Sequence, residues 1–246
     1  MFLSPDGPEP ASPEQSQLGG LPALLASLQL ADSAFPSGFY TLSHSLEGYA
    51  QARAVTPDTL PALLADLLRH GVGPSDATAL ALAHRACTAG EPADAARIDR
   101  RLYAGKLGRE MRQAATRTGR QLLDLAAEVF EQPAIGGYAA LVKERRAPGC
   151  QAVAAGIVYA AAGVPVAQAV AADLFAFGAS FAGAALRLRL TDHRRAQVLL
   201  RGAAPVIEET VRAALAREEA DLGSTAFAAD IMSGRHERSD ARLFAS

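Results

Sequence analysis

Thr56-Pro-Asp-Thr-Leu-Pro-Ala-Leu-Leu-Ala-Asp-Leu-Leu-Arg-His-Gly71 carries the clearest periodic signal in the chain. Leu60, Leu63, Leu64, Leu67 and Leu68 recur at helical spacing and lay one apolar stripe along a 3.6-residue period. Thr56 is placed to cap this helix, Pro57 suits its first position, and Gly71 is expected to end it. The composition around it points the same way. Of 246 residues 55 are alanine, none is tryptophan and 14 are Phe or Tyr. Alanine is the strongest helix former, whereas strands favour β-branched and aromatic residues. The expectation is an all-α fold with a core of small side chains.

Working outward, an apolar helix is expected from about Leu21 to Asp32, and another from about Thr41 to Arg53. Downstream, helical patterns cover residues 75–88, 93–103 and 106–130, and between the last two Gly105 and Gly108 only weaken a helix without requiring a break. Further segments fall at 137–145, 150–162 and 166–189. Asp192 or Thr191 is placed to cap a helix through Leu200, and Pro205 kinks or restarts the pattern that runs on to Ala220. The stretch 147–172 lacks any charge and is long enough for a membrane span. It is mostly Ala and Gly, however, and reads as two buried helices joined by a turn at 163–165. Residues 1–20 carry Pro5, Pro8, Pro10 and Pro13 and read as a disordered leader. The expected organisation is a single compact domain of about ten short helices over 21–222, with a partner-binding tail at 223–246. A chain of this length buries about 70–75% of its unfolded surface, so a full core is available.

Charge and motif content narrow the function. Twenty-four basic residues face 26 acidic ones, leaving no basic excess for a nucleic-acid backbone. Cys87 and Cys150 form neither a disulfide framework nor a metal motif and read as thiols of a reducing compartment. No secretory leader is visible, so a cytoplasmic location is expected. Phosphate-cradling glycine loops, a His-Glu-x-x-His pair and a recognisable nucleophile context are all missing. The carboxylate pairs Glu208-Glu209 and Glu218-Glu219 are sequence neighbours and cannot face each other on a helix. No catalytic residue, metal site or cofactor is assigned.

Two segments stand apart from the alanine-rich middle. Phe35-Pro-Ser-Gly-Phe-Tyr40 is a tight corner wedged between helices. The tail Asp230-Ile-Met-Ser-Gly-Arg-His-Glu-Arg-Ser-Asp-Ala-Arg-Leu-Phe-Ala-Ser246 interleaves Ile231, Leu243 and Phe244 with Arg235, Arg238 and Arg242. A frayed end has no use for such anchors, so the tail is expected to order against a partner or against its own domain.

At these segments the chain resembles the UreF family of urease accessory proteins. Leu28-Gln-Leu-Ala-Asp-Ser-Ala-Phe-Pro-Ser-Gly-Phe-Tyr-Thr-Leu-Ser-His-Ser-Leu-Glu47 is similar to the family's opening pattern. Ile231-x-Ser233-x-x-His236-Glu237-x-x-x-x-Arg242-Leu-Phe-x-Ser246 resembles its terminal signature with unchanged spacing. Glu110-Met-Arg112, Gly119-Arg-Gln-Leu-Leu123 and the Arg187 to Leu190 stretch also fit. Leu190-Thr-Asp-His-Arg-Arg195 stands where the family carries a Leu-Gly-Gln element. The resemblance implies an all-helical, dimeric, non-enzymatic adaptor with no nucleic-acid or membrane role. Its implied partners are UreD/UreH, the GTPase UreG and the urease apoprotein, during nickel insertion. It also leaves open a GTPase-activating role through an arginine supplied in trans. The partner-binding residues so implied are Phe35, Pro36, Gly38, Tyr40, Ser43, Glu47, Ile231, Ser233, His236, Glu237, Arg242, Leu243, Phe244 and Ser246.

Overall fold

The computed structural model describes residues 20–35, 41–238 and 243–244. The expected leader therefore lies almost wholly outside the described residues. Among those described, every regular element is helical. The α-helices are α1 (Leu21–Ala31), α2 (Leu46–Gln51), α3 (Leu60–Asp66), α4 (Thr78–Thr88), α5 (Pro92–Gly105) and α6 (Arg109–Phe130). Then come α7 (Pro133–Lys143), α8 (Gln151–Ala161), α9 (Val166–Arg187), α10 (His193–Ala216) and α11 (Phe227–His236). A π-helical segment, Leu67–Ala77, joins α3 to α4.

α4 and α8 cross at the centre, and small residues make the crossing possible. A Cβ added at Gly156 of α8 would lie 2.6 Å from the Leu80 carbonyl oxygen of α4. Ala79, Ala81 and Ala83 of α4 and Ala152, Ala154 and Ala155 of α8 are buried beside it. Around this pair α6, α9 and α10 supply Leu122, Leu123, Leu174, Phe177, Phe181, Leu199 and Ile207. The uncharged stretch becomes α8, a turn with Gly163 at φ 73, and the first part of α9. α9 is long and apolar enough to cross a membrane, but 56% of its most apolar window is buried inside the protein. The start of α8 is held from outside its own sequence. Asp99 of α5, fully buried, accepts from Gly149 N (2.6 Å), Cys150 N (3.0 Å) and the Tyr138 hydroxyl (2.8 Å).

Several boundaries differ from the sequence reading. α2 is shorter than expected because His44 and Ser45 adopt left-handed φ values of 52 and 67, which stop a helix from starting at Thr41. Thr56 closes a turn with Thr59 instead of capping directly, and α3 begins at Leu60. Gly71 does not end the helix. The widened π turn carries it through Pro74 into α4. In this π turn, where each N–H bonds five residues back, Pro74 has none to give to the Arg69 carbonyl. The neighbouring His70 carbonyl accepts from Thr225 N at 2.9 Å, while Gly223 N donates to the Pro74 carbonyl at 3.2 Å. An imperfect helix thus becomes the seat of the segment leading to the tail. α5 and α6 are separate, because Lys106 leaves the helical path and its side chain reaches Asp76. Asp192 caps α10 through Arg195 N at 2.8 Å, and Pro205 sits on its exposed side without ending it.

The tail departs furthest from its reading. Its periodicity fades in sequence, yet α11 forms there. The buried face of α11 is Ala229, Ser233 and His236, while Phe227 and Ile231 point outward. The polarity is inverted, so an apolar-stripe search passes over it.

Candidate functional site

The tail signature and the opening pattern meet in one buried cluster. The left-handed turn at His44 and Ser45 aims α2 so that Glu47, in its first turn, points inward. Glu47 is 3% exposed and His236 fully buried. Nε2 of His236 lies 2.7 Å from Glu47 Oε2. A carboxylate only accepts, so Nε2 carries the proton of this bond. The same carboxylate accepts from Leu243 N at 2.8 Å and Phe244 N at 3.1 Å. The other ring nitrogen of His236 faces Glu110 Oε2 at 3.4 Å, from α6. One carboxylate therefore ties α11 and the chain after it to the domain. Bonds to an ionised acceptor in a dry site are stronger than neutral ones.

Packing completes the clasp. Phe244 is buried, and the Arg187 guanidinium lies over its ring at 4.1 Å from the centroid. At Gly48, α2 meets α11 so closely that an added Cβ would overlap the Met232 carbonyl oxygen. Glu237 accepts from Arg109 Nε at 2.8 Å, and that hydrogen bond holds its carboxyl below the usual range.

The expected residues have different fates. Glu47, His236, Leu243 and Phe244 meet in the clasp, and Glu237 adds an ion pair one residue on. Ser43 and Ser233 are buried, with hydroxyls that have no hydrogen-bond partner among the described residues. Phe35 is buried in the wall of a separate cavity beside α9. Ile231 and Leu243 present their side chains outward, at 56% and 74% exposure. Pro36, Gly38, Tyr40, Arg242 and Ser246 lie outside the described residues. Sequence reasoning missed Gly48 and Pro74, whose importance comes from what crosses them in space.

It also missed a polar interior. A cavity of about 160 Å³ opens between the π segment, the α5–α6 loop, α9 and α11. Lys106 Nζ bonds Asp76 there at 2.7 and 3.0 Å. Burial works against the ammonium, but Asp76 outweighs it and raises the Lys106 pKa. Burial drives His44 in the same wall down to about 3, leaving it neutral. Asp173 of α9, hydrogen-bonded by Gln151 Nε2 at 2.8 Å, is pushed up to about 6 by burial. Among the described residues no three His, Cys, Asp or Glu side chains are grouped to hold a metal ion.

Comparison with known proteins matches residues 54–204 to the UreF family model. Urease accessory protein UreF of Bacillus sp. (strain TB-90) is 31% identical over 227 residues, 91% of this chain and 99% of that protein. Its counterpart from Arthrobacter sp. (strain FB24) is 32% identical over 223 residues, 90% of this chain and 96% of that protein. Urease accessory protein UreF 2 of Brucella canis is 31% identical over 234 residues, covering 93% and 94% respectively.

Proposed function

The chain belongs to the UreF family, and from that premise we propose that it is a non-catalytic adaptor of urease maturation. It links UreD/UreH and the GTPase UreG to apo-urease so that nickel is inserted. It acts in the cytoplasm as a homodimer, with the corner Phe35-Pro-Ser-Gly-Phe-Tyr40 supporting the dimer, and it needs no cofactor of its own.

The observation that carries this reading is the division of the tail into two faces. Glu47 holds the polar face of α11 and the backbone at 243–244, leaving Ile231 and Leu243 exposed. The clasp presents a pre-ordered surface, which reduces the ordering entropy that binding would otherwise cost. Covering the two exposed side chains contributes about 1–2 kcal/mol each to a partner interface. UreD/UreH is the partner assigned to this face.

Removing residues 230–246 would also take away buried Ser233, His236 and Phe244, so outward substitutions give the cleaner test. Ile231→Asp combined with Leu243→Asp is expected to abolish co-purification with UreD/UreH while leaving helical circular dichroism unchanged. Undiminished co-purification of that double variant would overturn the assignment.

A further inference from the structure

Among the described residues the buried carboxylates are matched by donors, with one exception. Asp99 receives two backbone N–H groups and a tyrosine hydroxyl, and Glu47 an imidazole and two backbone N–H groups; half-buried Asp76 receives an ammonium. Asp173 is 9% exposed and receives a single hydrogen bond, from Gln151 to Oδ1. Among the described residues its second oxygen has no hydrogen-bond partner and no cationic side chain pairs with it. An unmatched buried charge is costly, and burial has raised this group only to about 6, so it is ionised at neutral pH.

Asp173 also lines a second cavity, of about 270 Å³, enclosed by α1, α6, α8, α9 and α10. Most of the remaining wall is apolar, with Phe35, Leu122, Val158 and Leu200 around it. The Tyr159 side chain, 3% exposed, lies in the same wall, and its hydroxyl has no hydrogen-bond partner among the described residues. A dry 150 Å³ cavity is known to accommodate benzene, so this one has room for a six-membered ring bearing a polar group. Among the described residues, a carboxylate without a countercharge, an unpartnered phenol and a mostly apolar wall make a complementary set.

We propose that this cavity is a binding site for a small organic cation, an amidinium or primary ammonium group carried on a compact apolar body. The cation's N–H groups donate to the free oxygen of Asp173 and to the Tyr159 hydroxyl oxygen, while the apolar body fills the space between Leu122, Val158 and Leu200. The inference stands independently of the adaptor role.

Benzamidine is the probe, titrated into the full chain by calorimetry, with neutral benzamide as its isosteric control. Saturable one-to-one binding is expected for benzamidine, with at least tenfold weaker binding for benzamide. Asp173→Asn is expected to weaken benzamidine at least tenfold while helical circular dichroism is retained. Should that variant not fold, Tyr159→Phe and the cavity-filling Ala179→Phe decide, the first by a severalfold loss and the second by abolition. Absence of saturable benzamidine binding would overturn the proposal and leave a water-filled cavity. So would equal affinity for benzamide, or unchanged affinity in the folded variants.

Discussion

Replacing Glu47 by alanine should release the C-terminal segment without unfolding the domain. Glu47 accepts three hydrogen bonds, from His236 Nε2 and from the backbone N–H groups of Leu243 and Phe244. All three donors lose their acceptor together, and a buried donor left unsatisfied costs about 1–3 kcal/mol. The three are not additive, since the freed segment can reach water, so a total of about 3–5 kcal/mol is expected. At 1.4 kcal/mol per factor of ten, opening of the segment becomes about a hundred- to several-thousandfold more frequent. The main core is elsewhere, at the crossing of α4 and α8, and does not depend on this carboxylate. Amide hydrogen exchange separates the two regions, because each opens with its own free energy. Protection over α11 should collapse while that of α4 and α8 persists, and trypsin should cut faster at exposed Arg235 and Arg238. Glu47→Gln, which keeps one acceptor oxygen, should lie between wild type and alanine. Unchanged α11 protection in a folded Glu47→Ala protein would refute the clasp.

Gly48→Ala adds a methyl group where the Met232 carbonyl stands. Backbone must move, so α11 should lose protection as in the Glu47 variant, though the charge is untouched; native α11 exchange rates would contradict this. Asp99→Ala leaves two backbone N–H groups and the Tyr138 hydroxyl without an acceptor at the start of α8. About 3 kcal/mol of stability should be lost, a fall of roughly 6–12 °C in Tm by calorimetry. Asp173 has a folded pKa raised from 3.8 to about 6, chiefly by burial and against the Gln151 hydrogen bond, with Asp76 adding to the rise. Tyr159 is the other titratable group that faces it. The stability it contributes is present below pH 3.8 and lost as pH rises through 6. Asp173→Asn should therefore gain on wild type by about 2–2.5 kcal/mol between pH 4 and pH 8 in denaturant titrations. His44, lowered to about 3 by burial, acts in the opposite sense over much of that window. It is common to both proteins, so their difference isolates Asp173, and a flat difference would contradict the assignment.

The all-α class and most of the helices were legible in the sequence by itself. Local propensity and the spacing of Leu60 to Leu68 are properties of neighbours along the chain, and helices are built from neighbours. Glu47 and His236 were each marked only through a separate motif; that they touch is a fact of folding, since 189 positions separate them. α11 escaped notice because its buried face is Ala229, Ser233 and His236, and polarity alone cannot tell a buried imidazole from a solvated one. Gly71 read as a break, because local rules do not see the widened turn that carries the helix past it, nor Thr225 N arriving at the His70 carbonyl. The isolation of Asp173 was equally invisible, for whether a carboxylate has a countercharge depends on everything packed around it. Sequence determined which segments are helical and where the chain keeps its few large side chains. Tertiary structure alone decided which polar groups are buried together, because that depends on desolvation and distance between residues far apart in the chain.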